Sequence, residues 1–309
     1  MGFLDGIKQF GSTLGTQLLS GAIRGVRAVE SAAVKAVGGT DTSVAKDVFE
    51  AGSQVESLFH ITPPPSADLA YDGMLVGANG QTFPPGTPLS AIPAAMPYNG
   101  VRNNETILFV NGVGEDLASQ GVSMLAAANA TGSRVIGVHN ATDGFAQDAL
   151  QTVGDIGNSG PDKATDTLTD TIYGELKAGR SVHIMAHSQG GAETARALTH
   201  VQQRLVADGM TPEQAQGAMG AIKVETFAAA AAVWPNGPQY VHYVNTADPV
   251  AELLGVGQDT GAKAAQAGQG AVIRQFSDVP WNDVLKVHDF NTVYLDHWQP
   301  FDQVYPHNA

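Results

Sequence analysis

The sequence predicts an α/β fold, a doubly wound, mostly parallel sheet with helices on both faces. Three observations predict it. From about residue 106 onward, short apolar runs of strand length alternate with longer stretches of helical period, the βαβα rhythm of a parallel sheet. One of those runs, at 181–186, is followed by a doubled glycine and then a helical stretch, so a strand turns sharply into a helix there. The chain has 309 residues, 43% of them hydrophobic and only 15% charged, enough for one large buried core with additional segments.

Taken in order, residues 1–62 differ from the rest. Phe3, Ile7, Phe10, Leu14 and Leu18 recur at helical spacing and predict an amphipathic helix; a second helical stretch, about 43–58, follows the break at Gly38-Gly39. Two expectations stand for this region: helices packed on the larger domain, or an interfacial segment that contacts a membrane surface or serves export. Ahead of residue 38 its bases are Lys8, Arg24, Arg27 and Lys35, few for an anionic lipid surface. No cleaved signal peptide is expected, because Asp5 comes early and no continuous apolar stretch follows; Gly6 breaks the myristoylation pattern. No run is long and apolar enough for a membrane span, so the chain is expected to be cytoplasmic in its producing cell or exported by a signal-independent route.

Residues 63–105 form a Pro-rich segment. Pro63-Pro64-Pro65 opens it, and a hairpin over about 73–83 is expected to turn at Asn79-Gly80. Prolines at 84, 85, 88, 93 and 97 make the connection to residue 100 extended and irregular. Residues 106–309 form the main domain. Strand 106–111 precedes helix 117–130; strand 134–139 precedes helical stretches near 145–153 and 162–178. Strand 181–186 precedes helix 190–207, and strands 222–227 and 240–244 follow. The Gly/Ala/Gln-rich stretch 255–270 is a candidate mobile lid.

Composition removes several classes of function. A formal net charge of −14 argues against nucleic acid as a partner, which needs a basic footprint. The absence of cysteine excludes disulfides, thiolate metal sites and a cysteine nucleophile. No metal-binding pattern is present, and no cofactor is called for. His183 and His187 lie four apart on a strand, which separates them by roughly 13 Å and prevents them from sharing a metal.

The chemistry centres on Ala186-His187-Ser188-Gln189-Gly190-Gly191. A strand, a sharp turn around a serine, small flanking residues and a helix make a nucleophile elbow, with Ala186 where glycine is usual. Ser188 is a weak nucleophile unless a base takes its proton. An acid and then a base should follow in chain order. Asp248, just past strand 240–244 and stiffened by Pro249, is the expected acid. The expected base is His288, with His297 as the alternative; His307, beside the end of the sequence, is expected to be frayed. The oxyanion of a tetrahedral intermediate needs backbone donors. Gln189 N–H and Val113 N–H are assigned, the latter from the bend Asn111-Gly112-Val113-Gly114 after the first main strand, where Gly112 allows close approach. A dinucleotide-loop reading of that bend is disfavoured: Leu117 replaces its third glycine, and Glu115 and Asp116 would repel a pyrophosphate. The polar loop 139–144 is expected to line the pocket or to cap the next helix through Thr142 or Asp143.

With Val224-Glu225-Thr226-Phe227 and Asn245-Thr246-Ala247-Asp248-Pro249-Val250, these motifs resemble serine lipases and esterases of the α/β-hydrolase fold, close to the class 3 lipase-like branch. Residues 288–295 resemble the H-x-F-x-x-Y-L ending of many such enzymes, with one extra residue before the tyrosine. The resemblance covers about residues 100–300 and implies triad roles for Ser188, Asp248 and His288 and a lipid or phospholipid ester as substrate. The run Ala228–Ala232 departs from it, since class 3 lipases usually show glycine and proline there, and Asn111 stands where many lipases carry histidine. The signal-free amphipathic start is also similar to bacterial lipase effectors of contact-dependent secretion systems, which implies phospholipids of rival cells as targets and an immunity protein as partner. A serine peptidase or acyltransferase with the same triad, and a binding protein on a catalytically dead hydrolase fold, remain the alternatives.

Overall fold

A computed structural model describes residues 68–141, 162–257, 266–280 and 284–305. The helices expected before residue 63, the helical stretch near 145–153, the caps at Thr142 and Asp143, and His307 lie outside the described residues. Eight strands form one sheet: β1 (Leu75–Val76), β2 (Thr82–Phe83), β3 (Thr106–Val110), β4 (Arg134–Val138), β5 (Val182–His187), β6 (Ile222–Phe227), β7 (Gln239–Asn245) and β8 (Val272–Phe276). Their order across the sheet is β2-β1-β4-β3-β5-β6-β7-β8. Strands β3 to β8 are parallel to one another, and β1 pairs antiparallel with both β2 and β4. The hairpin turns where expected: Asn79 and Gly80 both take positive φ, 60° and 72°, a backbone these two residue types adopt at low cost.

Helices cover both faces because the central strands are apolar on both sides. Leu108 and Val110 of β3, with Ile184 and Ala186 of β5, meet Leu168 and Ile172 of one helix and Leu198 and Val201 of another. Those helices, numbered in chain order after α1 (Leu117–Thr131), are α2 (Lys163–Lys177) and α3 (Gln189–Ala207). The alternate residues Ile107, Phe109 and Met185 face Met124 and Ala127 of α1 together with Phe290 and Val293 from the end of the chain. The period-2 alternation of β3 therefore assigns each side chain to one of two cores.

Three elements go beyond the sequence expectation. Helix α4 (Pro212–Met219) has a full capping box at Thr211 and Gln214 with proline at its first position. Helix α5 (Pro249–Leu253) is capped by Asp248, so the Asp-Pro pair starts a helix rather than only a stiffened loop. Strand β8 follows the stretch read as a lid. The carboxyl end of that stretch is held down: Ala267 is fully buried and its carbonyl accepts from His242 Nε2–H (2.9 Å), while the Gln266 carbonyl accepts from the Trp234 N–H (2.8 Å). Residues 258–265 of the stretch lie outside the described residues. A final short helix, α6 (Phe301–Val304), ends the described chain. Among the described residues no helix is long and apolar enough to cross a membrane.

An ion cluster closes the amino ends of β3, β5 and β6. His183 contacts Glu105 through Nδ1 (3.1 Å) and Glu225 through Nε2 (2.9 Å). Trp298 Nε1–H donates to the second oxygen of Glu225 (2.8 Å), and Lys223 bridges Glu105 and Asp302. Burial alone would push the His183 imidazole down, but the two carboxylates outweigh it and raise the group to about 9 from an ordinary 6.5. The hydrogen bond from His183, helped by Lys223, brings Glu105 down to about 2. A raised histidine stabilises the fold fully below its unfolded value, and that stabilisation is lost as pH rises through its folded value. Urea unfolding of wild type and His183→Gln is therefore expected to show a gap that is widest near pH 6.5 and narrows through about pH 9. An equal gap at both pH values would contradict a charged His183.

Candidate active site

The site is built at the carboxyl end of β5. Ser188 follows His187 with φ 54° and ψ −124°, a conformation that costs an L-residue about 1–3 kcal/mol and must be held by its surroundings. Backbone bonds hold it. Ser188 N–H donates to the Phe227 carbonyl (2.9 Å), and the Ser188 carbonyl accepts from Gly191 (3.0 Å) and Ala230 (2.9 Å). Small residues are required on each side. A Cβ on Gly190 would lie 2.4 Å from the Val110 carbonyl oxygen, and one on Gly191 would lie 2.4 Å from Ala229 Cβ. The alanine run after β6, a departure from the lipase pattern, thus has a steric reason: it packs against the first turn of α3.

Three of the expected residues meet here. His288 Nε2 is 2.8 Å from Ser188 Oγ, and His288 Nδ1 is 2.7 Å from Asp248 Oδ2. Asp248 is completely buried; its Oδ1 accepts from Val250 N–H (2.9 Å), and its Oδ2 also accepts from Tyr294 O–H (2.7 Å). Burial and the adjacent Asp248 carboxylate push the Tyr294 phenol well above its ordinary value, so it remains a donor. The other histidine, His297, is not brought to Ser188: its ring stacks on Phe276 at 3.8 Å and its Nε2 faces Asp278 at 3.5 Å.

The segment carrying His288 is a turn from Val284 to His288 followed by a π-helical turn from Phe290 to Tyr294. The π-turn takes up the extra residue that the sequence has between its histidine and tyrosine, and Tyr294 still reaches Asp248. Two further side chains hold this segment. Asn245 Nδ2 donates to the Val287 carbonyl (3.2 Å) and the Asp278 carbonyl (2.7 Å). His187 donates through Nε2–H to the His288 carbonyl (3.0 Å). Burial, and then the neighbouring His288 ring, hold the His187 imidazole down at about 3, so it stays neutral; its proton sits on Nε2 because a carbonyl only accepts. In the sequence His187 stands only within the elbow motif and Asn245 only within the segment that carries Asp248, and neither shows a signal for these contacts. Tyr294 was visible in the H-x-F-x-x-Y-L-like ending.

The bend after β3 lies against the serine. A Cβ on Gly112 would fall 2.8 Å from Ser188 Cβ, so only glycine gives this approach. Asn111 fixes the bend: its Nδ2 donates to the Gly112 and Asn140 carbonyls (both 2.9 Å), and its Oδ1 accepts from Asn140 N–H (2.8 Å). Residue 140 of the polar loop therefore braces the bend. Val113 packs beside Ala230 and Val250. Gln189 is the first residue of α3, so its N–H belongs to the helix terminus next to Ser188. Asp116 occupies the N-cap of α1, accepting from Ser119 N–H (2.7 Å), where a dinucleotide phosphate would have to sit. Both nitrogens of His183 are engaged by carboxylates at the far end of β5, away from His187. Among the described residues no group of three or more side chains is arranged to hold a metal ion.

A mostly parallel eight-stranded sheet with helices on both faces, and Ser188, Asp248 and His288 brought together in that chain order beyond the carboxyl ends of its strands, is the arrangement of an α/β-hydrolase fold. No protein-family model matches the chain, and no curated protein matches it. Solved structures similar to it include an esterase of Pyrobaculum calidifontis in a monoclinic form, with a TM-score of 0.38 at 10% identity, covering 77% of this chain and 84% of the other. A second structure of a hyperthermophilic esterase from that archaeon gives 0.38 at 10% identity, covering 76% and 83%. Lipase B of Aspergillus fumigatus gives 0.28 at 13% identity, covering 70% and 58%.

Proposed function

We propose that this chain is a serine-dependent carboxyl-ester hydrolase acting on lipid esters through an acyl-enzyme. The observation that carries the proposal is the single imidazole of His288 lying 2.8 Å from Ser188 Oγ and 2.7 Å from a fully buried Asp248. His288 Nε2 takes the proton as Ser188 Oγ attacks the ester carbonyl. Asp248 accepts from Nδ1–H, which fixes the useful tautomer and stabilises the imidazolium. The N–H groups of Val113 and Gln189 receive the oxyanion. The imidazolium then protonates the departing alcohol, and water, activated by the same histidine, releases the acid.

The preference for lipid, including phospholipid, is supported by the resemblance of the motifs to lipases and by the amphipathic pattern of Phe3, Ile7, Phe10, Leu14 and Leu18. A role as an exported antibacterial phospholipase, with an immunity protein as partner, is the narrower form of the same proposal. A fluorophosphonate probe is expected to label wild type and not Ser188→Ala. Labelling of Ser188→Ala, or none of wild type, would remove the serine mechanism. Hydrolysis rates over p-nitrophenyl esters of increasing chain length, then over defined phospholipids, read the substrate; a rate that peaks on the shortest ester would contradict the lipid preference.

A further inference from the structure

The bend at 112–114 and the segment bearing His288 are distant in sequence, yet one part-buried polar chain joins them. Glu115, directly after the bend, accepts at Oε1 from Ser123 Oγ–H (3.2 Å), and Ser123 Oγ in turn accepts from Asn291 Nδ2–H (3.3 Å) on the π-turn that follows His288. Ser123 is buried on the inner face of α1. Two oxygens of this cluster, Glu115 Oε2 and Asn291 Oδ1, are buried with no hydrogen-bond partner among the described residues. An ionised carboxylate in such a place leaves a desolvated, unpaired oxygen, which is costly; a protonated one supplies a donor instead.

We propose that Glu115 is a positioning residue, a neutral carboxylic acid that couples the oxyanion bend to the base-bearing segment through Ser123 and Asn291. The inference rests on the Ser188–His288–Asp248 reading of the site. Burial is the first reason the acid stays neutral and raises it to about 7 against the Ser123 hydrogen bond; Asp289 from the base segment and Asp116 from its own loop add to the rise, and His288 opposes it. Below that pH the strut is neutral. Above it, ionised Glu115 carries a desolvated, unpaired oxygen at Oε2, and the strut is weakened.

The test compares Glu115→Ala, Glu115→Gln and Ser123→Ala in the full chain. Glu115→Ala is expected to lower kcat about tenfold with KM within about twofold, the pattern of lost positioning rather than lost binding. Glu115→Gln, which keeps an acceptor and a donor but cannot ionise, is expected to recover most of that loss. It should also keep the rate of fluorophosphonate labelling of Ser188 above about pH 7, where that of wild type falls as Glu115 ionises, since glutamine cannot ionise. Should Glu115→Ala fail to fold, the labelling profile of Glu115→Gln and a several-fold kcat loss in Ser123→Ala carry the test. A Glu115→Gln profile that coincides with wild type, or a Ser123→Ala variant with unchanged kcat, would overturn the inference. If Ser188→Ala itself still labels, the triad reading fails first; if labelling requires Ser188 and the Glu115 variants behave as wild type, this inference alone fails.

Discussion

Replacing His288 with alanine is expected to lower kcat/KM for ester hydrolysis by about 10⁴-fold or more, while His297→Ala stays within about twofold of wild type. The difference follows from position. Among the described residues His288 is the only side chain that contacts both Ser188 Oγ and Asp248, so its removal takes away the imidazole beside the serine and leaves the buried carboxylate with Tyr294 O–H and Val250 N–H as its described partners. His297 makes a ring stack and a long, exposed ion pair with Asp278, an interaction worth about 0–1 kcal/mol of stability and none of the chemistry. Steady-state kinetics on one p-nitrophenyl ester, with circular dichroism to confirm folding, separates the two. A large loss in His297→Ala with an active His288→Ala would reverse the assignment.

Asp248→Asn is expected to cost about 10⁴-fold in kcat with little change in KM. An asparagine can keep its oxygen toward Val250 N–H, preserving the cap of α5, and then turns its amide toward His288 and Tyr294. An amide N–H cannot accept from Nδ1–H, so the imidazole shifts to the tautomer with its proton on Nε2, facing Ser188 Oγ. That tautomer cannot receive the serine proton. Tyr294 O–H can rotate to accept from the amide, so the melting temperature should fall far less than the activity. A variant retaining a tenth or more of wild-type kcat would show that Asp248 is a structural cap and not the acid of a triad.

The elbow was legible because its signal is local. A strand, a serine in a strained turn and two glycines are consecutive in sequence and give the local signal, while the steric demand at those glycines comes from elsewhere in the chain, the Val110 and Asn111 carbonyls at Gly190 and Ala229 at Gly191. Helix α4 lies beyond the sequence expectation although Thr211, Pro212 and Gln214 spell its capping box, because a short helix with few apolar residues gives little periodic signal. Strand β8 was harder: Val272–Phe276 carries Arg274 and Gln275 exposed at the sheet edge, and its strand state comes from pairing with β7. The roles of Asn245 and Glu115 had no sequence signal, because their partners at 287 and 123 are set by the packing of separate elements.

The sequence by itself determined the rhythm of the parallel sheet and the sharp strand-to-helix turn at Ser188, since each depends on propensity, side-chain size and spacing within a few residues. Only the tertiary structure decided which of His288 and His297 stands beside Ser188. Both follow the acid in sequence and both are chemically competent, and the choice rests on a π-turn, anchored by Asn245 and His187, that aims one ring at Ser188 while the other stacks on β8. Side-chain direction at the end of a long chain is set by long-range hydrogen bonds, and those exist only once the sheet has brought their donors and acceptors together.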